Sequence, residues 1–226
     1  MKNLTREQRN TLNRSKILHT AAKLFLEKGY TATSLKEICS ESGVNLGTLV
    51  NLFECKENIM RDLVRFVLEG QFSAAKRMIK EKTEDRILFY AAETTLQLHM
   101  AESSKHIREL YSVAYSLPNS SEVIYHTITG KLEQIFKESL PQLETKDFYE
   151  LEIASGGIMR GFMTVPCDMY FTMERKVRRF LETTFLVYRV SDEKIKQAIE
   201  FVEQFDFVKA AQDTINNLLA YLERNT

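Results

Sequence analysis

The chain is poor in the residues that interrupt helices. It contains three prolines and eight glycines in 226 residues, and no tryptophan. Long stretches are rich in Leu, Glu, Lys, Ile and Phe, without the strict alternation of apolar and polar residues that marks a half-buried strand. The scarcity of helix breakers together with this pattern predicts an all-α fold.

Cysteines and long apolar segments are also scarce. Cys39, Cys55 and Cys167 are odd in number and lack CxxC spacing, which is typical of a protein kept in a reducing cytosol. No apolar run reaches the roughly 18 residues that a membrane-spanning helix needs. The first residues, MKNLTREQRN, lack the apolar core of a signal peptide. We therefore expect a cytoplasmic protein with no membrane association.

The chain has no net charge, but its charges are unevenly distributed. The 31 basic residues balance 31 acidic ones over the whole sequence. Residues 1–56 hold nine Lys or Arg and five Asp or Glu, so the acidic excess lies in the remainder. A basic end is typical of polyanion binding, although an excess of this size also arises by chance.

The histidines and cysteines form no catalytic or metal-binding pattern. None of His19, His99, His106 and His126 has a partner at the spacing of an HExxH motif. Cys167 has no neighbouring His or Asp that would activate it as a nucleophile. We expect no catalytic residue, no metal and no cofactor, and an enzyme is the least favoured class of function.

A short stretch near the amino terminus has the spacing of a helix-turn-helix. Ser34 and Glu37 form a capping box that begins a predicted helix over residues 34–41. Gly43 allows a sharp turn before a second predicted helix over residues 45–52. In this motif the first helix braces the second, whose polar face enters a major groove about 12 Å wide. The stretch therefore predicts binding to duplex DNA.

The rest of the sequence predicts helices on both sides of this motif. Residues 1–13 are polar and predict a flexible arm before a helix that begins near residue 14 and ends at residue 28. Residues 1–56 are interpreted as the DNA-binding domain, and 57–226 as a regulatory and dimerisation domain. Further helices are predicted over residues 56–82, 85–103, 105–117, 120–139, 146–164, 173–190, 192–205 and 208–224.

Residues 15–56 resemble the DNA-binding domain of the tetracycline-repressor (TetR) family. The resemblance implies a homodimeric transcriptional repressor that binds a palindromic DNA operator and is released by a small-molecule effector. The alternative is a DNA-bound architectural or partner-binding protein that has no effector. The matching residues are Ile17, Leu18, Ala21, Ala22, Leu24, Phe25, Gly29, Tyr30, Thr33, Ser34, Ile38, Gly43, Val44, Gly47, Thr48, Leu49, Phe53 and Lys56.

The resemblance also implies which residues contact DNA. Hydroxyls, helix N-termini and lysines bind phosphates, and an asparagine can read an adenine edge. Residues implied to lie at phosphates or a groove edge are Thr33, Ser34, Lys36, Asn45 and Lys56. Residues implied to face the bases, or to let the backbone approach them, are Leu46, Gly47, Thr48 and Asn51.

Three positions depart from the family pattern. Val50 stands where a phosphate-binding tyrosine is usual, and Leu52 stands where His or Tyr is frequent. Glu54 adds a negative charge near the expected DNA backbone. These changes remove donors and add repulsion, so they argue against high DNA affinity. Val50 and Leu52 either meet thymine methyl groups or pack inside the domain, whereas Leu49 and Phe53 are expected in the core.

The regulatory domain contains two weaker patterns. Its aromatic and flexible apolar residues imply an effector pocket by resemblance, although an ordinary core has the same composition. Gly157 and Gly161 share one helix face and imply a seam with a second subunit, or else close packing within one subunit. The candidate pocket residues are Phe89, Met100, Tyr111, Tyr115, Tyr125, Met159 and Phe162.

Overall fold

A computed structural model describes residues 5–226, which form eleven α-helices and no strand. The all-α prediction is therefore confirmed. Within these residues, no helix is long and apolar enough to cross a membrane. The helices are α1 Arg6–Lys28, α2 Leu35–Ser42, α3 Leu46–Phe53, α4 Lys56–Ile79, α5 Arg86–Glu102, α6 Lys105–Ala114, α7 Pro118–Phe136, α8 Thr145–Thr164, α9 Met173–Val187, α10 Asp192–Val202 and α11 Phe207–Arg224.

The first helix begins earlier than the sequence pattern predicts. The Thr5 hydroxyl accepts a hydrogen bond from the Gln8 backbone N–H at 3.2 Å, and the Gln8 side chain accepts one from the Thr5 N–H at 3.0 Å. This capping box starts α1 at Arg6, so the predicted arm is wrong for residues 6–13. Residues 1–4 lie outside the described part of the chain.

The buried side chains form two apolar clusters. One is centred on α1, α2, α3 and the first half of α4, where it contains Phe25, Ile38, Leu49 and Phe53, and it extends to single buried residues of α6, α7 and α11. The other fills the body, where the rings of Phe136 and Tyr188 stack with centroids 4.1 Å apart. Leu68 on α4 belongs to the first cluster and Ala75 to the second, so α4 is shared by both.

Hydrogen bonds join the amino-terminal domain to α6 of the body. The imidazole Nδ1 of His106 donates to the Leu26 carbonyl at 3.0 Å, and the Glu109 carboxylate accepts from the Thr31 N–H at 2.9 Å. Gly29 lies between these bonds with a φ of 91°, and the Glu109 carboxylate occupies the place of a Cβ there. The end of α1 is therefore fixed directly against α6.

Candidate DNA-binding surface and adjoining cavity

Local capping interactions set the geometry of the turn between α2 and α3. Gly43 ends α2 in the left-handed region, with φ 67° and ψ 17°, which glycine adopts without strain. The Asn45 side chain accepts from the Thr48 N–H at 2.8 Å and so begins α3. The two helices lie within one residue of the predicted ranges because these caps and the break are encoded locally.

Helix α3 has one buried face and one exposed face. Leu49 and Phe53 are buried, as predicted. Leu46 is 53% exposed and Val50 is 41% exposed on the other face, where Asn51 is also exposed. Val50 therefore points away from the domain core.

Val50 and Leu52 lie in different environments, although the sequence leaves the same two alternatives open for both, namely contact with DNA or packing inside the domain. Leu52 is partly buried and packs against the core cluster, and its carbonyl accepts from Arg14 at 3.1 Å. Val50 has no such role and stays on the outer face, where it is free to approach DNA.

The beginning of α2 carries a capping box and several charged side chains. Ser34 is exposed, and its Oγ accepts from the Glu37 N–H at 3.2 Å. Glu37 in turn pairs with Lys28, and the pKa of the Glu37 carboxyl falls to about 2, first through Lys28 and then through hydrogen bonds from Ser34. Lys36 is exposed beside them. Ser34 and Lys36 are thus accessible to phosphate.

Thr33 occupies a different environment from the one the resemblance implies. Its side chain is 1% exposed, and its hydroxyl donates to the Gly29 carbonyl at 2.8 Å. It therefore holds the turn after α1 and is not available to a phosphate in this conformation.

Lys56 has a structural role at the start of α4. Its ammonium donates to the carbonyls of Tyr30 and Thr33, both at 2.9 Å, and lies 4.1 Å from the centroid of the Tyr30 ring. Partial burial lowers the pKa of this amine, and Glu109 opposes the shift. An ammonium has three N–H donors, so one is left for the phosphate contact that remains a prediction.

An apolar cavity of about 130 Å³ lies between the DNA-binding domain and the body. Its wall includes Ala22, Phe25 and Leu26 of α1, together with apolar residues of α4, α6 and α11. The sequence pattern missed these α1 residues, because a residue that faces a cavity and one that faces a filled core have the same apolar character. The side chains that bring polar groups to the wall are Gln71, Gln97, Tyr111 and Tyr115.

Three of the seven candidate pocket residues, Met100, Tyr111 and Tyr115, line this cavity. The other four do not line it. Phe89 packs against Phe72, Tyr125 against Tyr149 and Phe162 against Phe180, while Met159 is buried in the body core. The body therefore contains a filled aromatic core as well as the cavity.

Gly157 and Gly161 lie on an open face of α8. A Cβ added to either glycine would meet no atom within 4 Å. Close packing within one subunit therefore does not explain them. Exposed apolar side chains accompany them, namely Ile153 on α8 and Leu186 on α9.

No group of three or more His, Cys, Asp or Glu within residues 5–226 could hold a metal ion. What the described residues do form is a three-helix domain with an outward-facing third helix, joined to a helical body. This arrangement of α2 and α3 is that of a helix-turn-helix motif.

Comparison with known proteins shows what the amino-terminal part of the chain is similar to. Residues 17–63 match the family described as "Bacterial regulatory proteins, tetR family". The HTH-type transcriptional repressor KstR2 of Rhodococcus jostii (strain RHA1) is 29% identical over 82 residues, which cover 36% of this chain and 40% of the relative. YerO of Bacillus subtilis (strain 168), an uncharacterized HTH-type transcriptional regulator, is 22% identical over 188 residues, covering 79% of this chain and 63% of YerO. The match to the family model covers the amino-terminal part of the chain, which contains α2 and α3.

The fold of the whole chain also has a solved counterpart. The crystal structure of RolR in complex with resorcinol superposes with a TM-score of 0.66 at 14% identity, covering 87% of this chain and 96% of RolR. The similarity shows that the helical body shares the fold of that protein. By sequence, the chain spans less than two thirds of the length of the two curated relatives named above.

Proposed function

We propose that the protein is a homodimeric transcriptional repressor that binds a palindromic DNA operator through α3 and is released by a small-molecule effector. It acts in the cytoplasm, where bacterial operator DNA lies. The observation that carries this proposal is the position of the cavity. Phe25 and Leu26 of the DNA-binding domain form part of the wall, so an effector there would touch this domain directly.

The cavity also suggests how an effector would release DNA. Filling the space behind α1 would favour a different arrangement of α1 against α4 and α6, with α4 acting as the lever. In a dimer this changes the separation of the two α3 helices, which must fit half-sites about one helical turn apart. The partner-binding alternative needs no such cavity. RolR, whose crystal structure contains resorcinol, is a precedent for a ligand of single-ring size in this fold.

We assign the proposed DNA contacts to those predicted residues around α2 and α3 that are accessible, together with Lys56 at the start of α4. Phosphate contacts belong to Ser34, Lys36, Asn45 and Lys56, and base contacts to Thr48 and Asn51. Leu46 and Val50 offer apolar contacts to thymine methyl groups, and Gly47 lets the backbone approach.

Selection from a random DNA pool tests this proposal, and a palindrome is the expected product. Replacing Thr48 or Asn51 by Ala should change the preferred bases, at a cost of about 1–3 kcal/mol on the selected site. Lys56→Ala should weaken binding to all sequences and lower the salt slope by about one. Asn217→Ala, an exposed change on α11, is the matched control. Variants of α3 that bind the selected DNA like this control would contradict the assignment.

We also propose that the dimer forms through the face of α8 and α9 that carries Gly157, Gly161, Ile153 and Leu186. Sedimentation should give twice the chain mass of 26.3 kDa. Gly157→Leu should weaken the dimer because it adds bulk to the seam. Gly130→Leu is the control, since Gly130 is another helical glycine with open space around it. A monomeric wild-type protein would refute the dimer.

A further inference from the structure

Two carboxyl groups are buried in the body without a basic partner. Glu93 on α5 and Glu152 on α8 are each only 3% exposed. No Lys, Arg or His within residues 5–226 contributes to the shift in pKa of either carboxyl. Buried carboxylates are normally paired with a cation, because an isolated ion loses its hydration on burial.

Each carboxyl accepts a hydrogen bond from a neutral side chain. The Gln71 side-chain N–H donates to Oε1 of Glu93 at 2.8 Å. The Ser155 hydroxyl donates to Oε2 of Glu152 at 2.9 Å. Neither donor carries a charge, so neither compensates the charge of an ionised carboxylate.

The other side chains around the pair are neutral. Tyr90, Tyr111, Tyr115 and Tyr188 surround it from α5, α6 and the end of α9, and burial raises the pKa of each phenol. Gln71 contributes a neutral amide from α4, and Ser155 a hydroxyl from α8. A charge on Glu93 or Glu152 therefore meets no compensating charge in this shell.

The two carboxyls do not line the cavity, but Glu93 is in direct contact with a residue that does. Gln71 lines the cavity and also contacts Glu93, while the Tyr111 hydroxyl donates to Gln71 Oε1 at 3.1 Å. Tyr115 lines the cavity too, and its hydroxyl accepts from Gln97 at 3.2 Å. The place of a Cβ on Gly156 lies 3.1 Å from Oε1 of Glu152 and 3.5 Å from Cε1 of the Tyr115 ring, so Glu152 and Tyr115 are neighbours at this glycine.

We propose that this end of the cavity selects a cationic effector, an organic ammonium ion attached to an apolar body the size of a single ring. This inference rests on the cavity being the effector site of the proposed function. The carboxyls supply the counter-charge, and tyrosine faces attract ammonium ions through their π-electrons. The apolar wall receives the rest of the ligand, and its volume of about 130 Å³ is close to that of a cavity known to hold benzene, about 150 Å³.

The protonation of Glu93 and Glu152 gives the proposed binding of a cation a pH dependence that can be measured. Burial raises the pKa of Glu93 to about 7 and that of Glu152 to about 8, so both hold protons for much of the time near neutral pH. A bound cation favours the ionised form, so binding should release protons. The affinity for a cation should therefore increase as the pH rises from 6 to 8.

Calorimetric titration of the full chain with three small probes tests the charge preference. Benzylammonium, benzyl alcohol and benzoate share a ring and differ mainly in charge. Benzylammonium should bind about tenfold more tightly than benzyl alcohol at pH 7.5, and benzoate more weakly than either. Equal affinity for the alcohol and the ammonium, preference for benzoate, or no saturable binding of any probe would overturn the proposal.

A neutral variant separates the charge of Glu93 from its structural role. Glu93→Gln keeps an acceptor for Gln71 and should lower the affinity for benzylammonium about tenfold, with benzyl alcohol changed less than twofold. Glu69→Gln, on the exposed side of α4, is the control. An equal loss for both probes would indicate a structural effect and refute charge recognition. DNA binding by the ligand-free protein is measured separately, so a failure of either assay identifies which proposal has failed.

Discussion

Glu93 should make folding stability fall as the pH rises, which is opposite to the effect of a salt-bridged carboxylate. Burial raises the pKa of its carboxyl from 4.5 to about 7, and the Gln71 hydrogen bond opposes this shift only in part. Below pH 4.5 the group is protonated in both the folded and the unfolded chain. Between pH 4.5 and about 7 the unfolded chain loses the proton first, so the free energy of unfolding decreases through this window and then levels off.

The magnitude follows from the size of the shift. One pKa unit corresponds to about 1.4 kcal/mol, so ionisation of Glu93 costs the folded state up to about 3 kcal/mol. Glu93→Gln removes that cost and keeps the acceptor for Gln71. The variant should therefore gain up to about 3 kcal/mol over the wild type at pH 8 and less than about 1 kcal/mol at pH 5.

Urea denaturation at pH 5, 6, 7 and 8 measures this difference, with Glu69→Gln as the exposed control. Glu152 shares the direction of the shift, so some pH dependence should remain in Glu93→Gln. A constant difference in stability between the variant and the wild type across this range would refute the reasoning, because it would show that folding does not raise the pKa of Glu93.

Three further changes give simple outcomes. Val50→Tyr should tighten operator binding roughly tenfold in a gel-shift assay, because position 50 is exposed and a tyrosine there can reach a phosphate; unchanged affinity would contradict this. Cys55→Ser should raise the free energy of unfolding by about 1 kcal/mol, because the N-cap of α4 lacks a side-chain hydrogen bond; an unchanged denaturation curve would exclude it. Gly29→Ala should lower the melting temperature by several degrees, through its positive φ and its contact with Glu109, whereas Gly130→Ala should not.

Features encoded by neighbouring residues could be predicted from the sequence. The capping box of Ser34 and Glu37 and the break at Gly43 each depend on a few consecutive residues, so the helix-turn-helix was located to within one residue. The capping box of Thr5 and Gln8 is equally local, and the early start of α1 was missed because the polar composition of residues 1–13 was read as an arm.

Features that depend on distant segments could not be predicted in this way. Whether Phe25 faces packed atoms or a cavity depends on how closely α11 and α6 approach α1, and no local pattern states that distance. The same applies to Lys56, because two of its three N–H donors bind carbonyls more than twenty residues away. At Phe25 and Lys56, the residue type therefore predicts the role of the side chain less well than it does on the exposed face of α3.

The position of the cavity also limits how much energy an effector must supply. Of the two hydrogen bonds that fix the end of α1 to α6, the bond from His106 to the Leu26 carbonyl contributes about 1 kcal/mol, and the bond from Thr31 to the Glu109 carboxylate about 1.5–3 kcal/mol. A ligand that binds one arrangement of α1 about a thousandfold more tightly than the other supplies about 4.1 kcal/mol. That difference is enough to offset both bonds in one subunit. Because Phe25 and Leu26 already form part of the wall, the effector can act on α1 without a relay through the rest of the body.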